Sequence, residues 1–231
     1  MIFQEPMTSL NPVVRVGRQV EEAVLLHERV SRAEAARRSV EILEAVGVAD
    51  AAKRCRCYPH QLSGGLRQRV MIAMAMVLKP RLLIADEPTT ALDVTVEAQI
   101  LRLMRSLRDN GTSVLLISHN LGVIAQVCDE VYVMYAGRIV EHADTLTLFD
   151  RPLHPYTRGL LNAVRSLSRS GERLETIPGV VPNLLHLPEG CAFSMRCAQA
   201  CEECAAAPPP MRKAADGHQV RCARIRTEAD A

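Results

Sequence analysis

The sequence predicts an α/β fold: a parallel-sheet core with a helical subdomain ahead of it and a cysteine-rich C-terminal extension behind. Three observations point there. Leu82–Ala85 and Val114–Ile117 are uninterrupted apolar runs separated by a helical stretch, Val96–Leu107, and such strands read as parallel ones covered on both faces by helices. Ahead of them, apolar residues recur at helical spacing between capping signals. Beyond Phe149 the composition turns to proline, loop residues and cysteine, which places a boundary near Arg151 and domains at 1–150 and 151–231.

Asn11-Pro12 marks a turn, after which Val16, Val20 and Val24 share a helix face. Ser31 and Glu34 form a capping-box pattern, Ile42, Leu43 and Val46 supply an apolar face, and Gly47 stands where a C-cap glycine belongs. This helical subdomain spans about 13–62. Gly64 and Gly65 then open a helix carrying Val70, Ala73, Met74 and Val77, which Pro80 stops. After the two strands, Val131–Tyr135 and Arg138–Val140 flank Gly137 and read as a hairpin at the edge of the sheet. Pro208-Pro209-Pro210 reads as a stiff, extended connector.

With 231 residues, 48% of them apolar and 23% charged, the chain has the composition of a globular protein. A formal charge of +2 is too small to argue for a nucleic-acid partner. The first residues show neither a basic n-region nor an h-region, and the apolar stretch around Val70 to Leu78 falls short of the ~20 residues a bilayer span needs. Of eight cysteines, Cys55, Cys57 and Cys128 lie in the main body, while Cys191, Cys197, Cys201, Cys204 and Cys222 crowd the last fifth. In a chain without a secretory signal such crowding favours a metal or cluster site over a disulfide framework.

Asp86 and Glu87 end the first strand, and in open parallel sheets ligands gather outside the carboxyl ends of strands. One carboxylate near Mg²⁺ and a second holding an attacking water make a coherent phosphoryl-transfer arrangement, although Asp-Glu-Pro is also an ordinary strand end. In Ser63-Gly64-Gly65, side-chain-free glycines let backbone N–H groups approach an anion, Ser63 adds a hydroxyl, and the following helix turns its positive end towards a phosphate. His119 follows the second apolar strand.

Five stretches stand in one fixed order: Phe3-Gln4-Glu5-Pro6; Leu62-Ser63-Gly64-Gly65 with Arg67-Gln68-Arg69; Leu82 to Ala85 ending in Asp86-Glu87-Pro88; Thr90-Ala91-Leu92-Asp93; and Ile117-Ser118-His119. They resemble the Q-loop, signature loop, Walker B strand with its glutamate, D-loop and switch-histidine strand of ABC-type ATPases. The resemblance implies a partial ABC-type ATPase domain acting on ATP with Mg²⁺. It makes Glu87 and His119 catalytic, through the attacking water and the γ-phosphate, and makes Gln4, Ser63, Gly64, Gly65, Asp86 and Asp93 nucleotide-binding, with Gln4 and Asp86 also at Mg²⁺. The signature loop would act in trans on a nucleotide held by a partner. Leu66 stands where the family often has glutamine. No G-x-x-x-x-G-K-[ST] phosphate loop occurs, and none of the 12 glycines is followed by lysine. The chain is therefore expected to begin where such an ATPase is already half built.

His154-Pro155-Tyr156-Thr157 with Arg158-Gly159-Leu160-Leu161 resembles the extension on ATP-binding subunits of oligopeptide, dipeptide and nickel importers. Gln4 to Pro12, Cys191-Ala192-Phe193, Arg196-Cys197, Cys204 and Cys222 fit the same group. That resemblance implies a [4Fe–4S] cluster on Cys191, Cys197, Cys204 and Cys222, with Cys201 as an extra. The C-x-x-C spacing of Cys201 and Cys204 also suits zinc, so composition leaves cluster and zinc both open. The implied partners are a second ATPase subunit, identical or not, two membrane-spanning permease subunits and, indirectly, an extracytoplasmic solute-binding protein. The implied location is the cytoplasmic face of the bacterial plasma membrane. The competing expectations are a non-catalytic fragment that binds a partner ATPase through its signature face, and a soluble ABC protein of translation or DNA repair, which would lack this tail.

Overall fold

The computed structural model describes residues 1–4, 9–90, 92–167, 176–214 and 217–225, so residues 5–8 of the Q-loop-like stretch and Ala91 of the D-loop-like stretch lie outside the described residues. The chain divides into two units, Met1–Val123 and Ile124–Ala231.

The first unit opens with the expected helices. α1 (Val16–His27) buries Val16, Val20 and Val24 on one face, and the buried Gln19 amide binds Asn11 and Val14 of the preceding turn. α2 (Arg32–Ala45) starts at Ser31, whose hydroxyl accepts from Glu34 N–H at 3.2 Å. Only half of the expected capping box forms, because the Glu34 carboxylate turns to the guanidinium groups of Arg37 and Arg38. Gly47 ends the helix at φ +80°, and Arg69 from the next long helix donates to both Val46 O and Gly47 O, satisfying carbonyls the helix leaves open. The short α3 (Ala51–Arg54) and a 3₁₀ turn at Pro59–Gln61 lead to α4 (Gly64–Met76), capped by Ser63 and buried on most sides.

β1 (Leu82–Asp86) and β2 (Ser113–Ile117) pair in parallel with Leu83 opposite Val114 and Asp86 opposite Ile117, joined by α5 (Val94–Asp109). Ile2 bridges β1 from its other edge, donating to Ile84 O at 2.7 Å and accepting from Asp86 N–H at 3.0 Å. Leu83 and Ala85 are buried, whereas Leu82, Leu115 and Ile117 are 55%, 50% and 46% exposed. The expectation of a sheet covered on both faces is thereby corrected. With period-two alternation, α5 lies against one face, and among the described residues the other face keeps its apolar side chains open.

α6 (Leu121–Val127) leads into the second unit. β3 (Glu130–Tyr135) and β4 (Arg138–Asp144) form the expected hairpin, closed by Ala136 and Gly137, both at positive φ as a two-residue turn demands. The hairpin does not extend the parallel sheet. β5 (Arg212–Lys213) and β6 (Gln219–Val220) complete an antiparallel sheet of order β3-β4-β6-β5. The hairpin pairs with β6 of the tail, so β3 and β4 group with the residues that follow Arg151. α7 (Thr145–Asp150), α8 (Pro155–Leu167) and α9 (Glu202–Ala206) lie between β4 and β5 in sequence.

Two buried residues tie the tail together. Glu141, fully buried, accepts from Leu153 N–H and His154 N–H and meets His218 Nε2 at 2.7 Å. A β-bulge at Val133/Met134 shifts the register so that Val140 and Glu141 are consecutive buried residues, and β6 brings His218 to the carboxylate.

Candidate functional site

The strand end and the loops around it assemble a cluster on Glu87. Its Oε1 lies 2.8 Å from His119 Nδ1, and its Oε2 accepts from Thr90 Oγ1 at 2.8 Å and from Gln4 Nε2 at 3.4 Å. Each partner arrives for a local reason. Gln4 follows Ile2, which the β1 edge holds, so a residue three places from the start of the chain is nonetheless anchored. His119 follows β2, whose register puts Ile117 beside Asp86, and Ile117 O accepts Glu87 N–H at 2.9 Å. Thr90 belongs to the turn closed by its own N–H on Glu87 O.

These hydrogen bonds hold the Glu87 carboxyl below the usual glutamate range, His119 contributing most and Thr90 next. A carboxylate offers about four acceptor positions, and three are used here, which leaves room for a water. Asp86 ends β1 directly before this group. Thr90 was not singled out as a site residue from sequence; its place three residues after a strand-end glutamate, in a turn, is the signal that could have found it.

Ser63, Gly64 and Gly65 start α4 outside the Glu87 cluster, Ser63 Oγ accepting from Leu66 N–H at 3.4 Å. A side chain at Gly64 would meet nothing within 4 Å, and its φ is not positive, so neither packing nor backbone shape inside this chain calls for glycine there. Gln68, one turn on and buried, donates to Pro88 O at 2.8 Å and so ties this helix to the Asp-Glu-Pro turn. Asp93, expected at nucleotide, caps α5 by accepting from Val96 N–H at 2.9 Å.

In the second unit Cys191, Cys197, Cys204 and Cys222 line one small pocket together with His154 and Phe193. Cys201 is not among its lining residues. Burial pushes the Cys191, Cys197 and Cys204 thiols up, while a hydrogen bond from Cys204 holds Cys201 down. Among the described residues no three His, Cys, Asp or Glu side chains are arranged to hold a metal ion. The four cysteines of the expected ligand set thus share one pocket lining. Among the described residues no helix is long and apolar enough to cross a membrane.

A parallel sheet whose strand end carries Asp-Glu, flanked by a glutamine, a histidine and a serine-glycine helix start, defines the ATP-binding cassette class. Residues 1–90 match the family described as ABC transporter, and residues 140–204 match that described as oligopeptide/dipeptide transporter, C-terminal region. The oligopeptide transport ATP-binding protein OppD of Escherichia coli (strain K12) is 56% identical over 210 residues, 90% of this chain and 62% of the relative's length. A putative peptide import ATP-binding protein of Brucella ovis is 53% identical over 97% of this chain and 68% of its own length. Among solved structures, the ATP-binding cassette MJ0796, a dimer bound to ADP and Pi after hydrolysis, superposes with a TM-score of 0.57 at 26% identity, covering 62% of this chain and 61% of that one. The chain belongs to the family of ATP-binding proteins of peptide-import ABC transporters. It spans about three fifths of the length of the E. coli relative.

Proposed function

We propose that this chain forms part of the ATP-hydrolysing subunit of a peptide-type importer, for oligopeptides, dipeptides or nickel, at the cytoplasmic face of a bacterial membrane. The observation that carries this is the Glu87 carboxylate, kept ionised at the end of a parallel strand by His119, Thr90 and Gln4 with one acceptor position to spare. Glu87 orients and deprotonates the attacking water, His119 reaches the γ-phosphate, and Asp86 with Gln4 would hold Mg²⁺, whose bound charge offsets that developing on the phosphates. Asp93 joins the nucleotide side of the site from its place as the cap of α5.

Ser63, Gly64 and Gly65 bind the nucleotide of a second ATPase subunit, a role supported by a glycine whose missing side chain is not needed within its own chain. The dimeric cassette among the similar structures favours such a pairing. Two permease subunits and a solute-binding protein complete the proposed assembly, a reading supported by the similarity to ATP-binding proteins of peptide import. For the tail we keep a [4Fe–4S] cluster on Cys191, Cys197, Cys204 and Cys222, supported by their shared pocket, since a cluster spreads four thiolates over several irons whereas zinc draws them to about 2.3 Å of one ion. Brown, iron-containing protein after anaerobic purification is the expected result, and colourless protein with one zinc replaces the cluster.

The absence of a G-x-x-x-x-G-K-[ST] motif from these 231 residues favours a second reading, a non-catalytic chain that engages a partner ATPase through its Ser63 face. One experiment separates the two. The 231-residue chain alone is expected not to hydrolyse ATP, and a chimera carrying the N-terminal part of the E. coli relative ahead of Met1 is expected to do so. In that chimera Glu87→Gln should retain nucleotide and lose at least ~10² in rate, the scale of a lost general base. An inactive chimera that still binds a partner cassette supports the second reading.

A further inference from the structure

Cys201 stands outside the four-cysteine pocket with its sulfur 3.5 Å from that of Cys204. It is the N-cap of α9 and Cys204 is the third residue of that helix, with Cys204 N–H donating to Cys201 O at 3.0 Å. Both thiols are thus held on one turn of backbone. A disulfide needs a sulfur separation of about 2.05 Å, and side-chain rotation about χ1 supplies the remaining movement. Among the described residues no other two cysteine sulfurs are in recorded contact. Cys201 is part-exposed and Cys204 is buried, so Cys201 is the more accessible of the two to a small oxidant.

We propose that Cys201 and Cys204 are a reversible dithiol/disulfide pair oxidised by low-molecular-weight disulfides, and that closing it withdraws Cys204 from the thiol lining of the pocket. In the first step the Cys201 sulfur attacks one sulfur of the small disulfide, forming a mixed disulfide and releasing one thiolate, which takes the Cys201 proton. In the second the Cys204 sulfur attacks Cys201, the protein disulfide forms, and the second small thiolate leaves and takes the Cys204 proton. The protein loses two electrons and two protons, and the small disulfide gains both as two thiols. Disulfides of this kind in reducing compartments are transient and regulatory. The redox chemistry itself needs no metal; only its consequence for a bound cluster rests on the reading proposed above.

The test uses the full chain. Oxidised glutathione is added, remaining thiols are alkylated, and the peptide spanning residues 197–212 is sequenced by mass spectrometry. Alkylation of Cys201 and Cys204 should fall together by at least about tenfold, with a bridge between them, and dithiothreitol should reverse it. Cys201→Ser should leave Cys204 alkylated. A bridge from Cys204 to Cys191, Cys197 or Cys222, or a glutathione adduct that stays on Cys201, overturns the proposal. If Cys201→Ser does not fold, the bridge assignment in the unmodified chain decides alone. Iron measured before oxidation separates the two readings: iron-free protein that closes the pair removes the cluster and keeps the switch, while iron-containing protein whose pair stays open after iron removal does the reverse.

Discussion

Glu87 occupies φ +45°, a region that costs a residue with a side chain about 1–2 kcal/mol, and the turn around it over-determines that conformation through Ile117 O, Thr90 N–H and three side-chain donors. Because its folded carboxyl titrates below the ordinary value, the ionised base persists as pH falls through the usual glutamate range. The acidic limb of hydrolysis in the chimera should therefore lie below that range, and His119→Ala, removing the largest contribution, should move it upward. Thr90→Val takes away one hydrogen bond of about 1 kcal/mol, so a roughly fivefold rate loss is expected, far less than Glu87→Gln. Gly64→Ala gives a sharper test of the partner-facing role. Nothing inside the chain opposes the methyl group, so stability should hold or rise by about 0.5–1 kcal/mol while ATP hydrolysis by the assembled dimer falls. Sequence alone named Glu87, His119 and Gln4, which the structure brings within hydrogen-bond distance, because a fixed motif order singles them out. It missed Thr90, because a hydroxyl in a turn has no spacing of its own.

The helices were legible where a side chain caps its own backbone, as at Ser31 and Ser63, since such bonds span three residues. Bonds that span the fold were not. Arg69 closes α2 from 22 and 23 residues away, and the sequence offered it only as part of an Arg-Gln-Arg run. Arg69→Met should strand the Val46 and Gly47 carbonyls and cost about 1–3 kcal/mol, read as a lower urea midpoint with the helical subdomain most affected. The open face of β1 and β2 was equally hidden, because apolar runs show that a strand is buried without showing how much of its cover is present. The 231-residue chain should bind a hydrophobic dye at that face, and Leu115→Thr with Ile117→Thr should reduce the signal.

At the scale of the whole molecule, the second unit carries its own response to acid. Burial pushes the His154 pKa down to about 4, against about 6.5 in an unfolded chain. Between those values the unfolded state holds the extra proton, so stability of the second unit is complete above about pH 6.5 and falls by about 3 kcal/mol as pH drops towards 4. Three of the four tyrosines, Tyr132, Tyr135 and Tyr156, lie in that unit and the chain has no tryptophan, so tyrosine fluorescence during urea unfolding of a Tyr58→Phe variant reads it directly. His154→Asn should flatten that slope. Glu141→Ala, which strands His218 and two backbone N–H groups in the interior, should cost about 3–5 kcal/mol in the same measurement. The sheet of the second unit was not legible in composition, because a hairpin and a strand separated by some eighty residues share it without sharing a sequence signature.

The Glu141–His218 pair also imposes an order on biosynthesis. The two residues are 77 positions apart, which at 5–20 residues per second is about 4–15 s of translation. Throughout that interval the nascent hairpin carries a carboxyl group that must stay hydrated, because His218 and the β6 strand do not yet exist. The second unit cannot close around its centre until residue 218 has been made. A product cut short before residue 218 retains its first unit's elements yet leaves the tail unsealed, with Cys191, Cys197, Cys201, Cys204 and Glu141 open to chaperones and proteases.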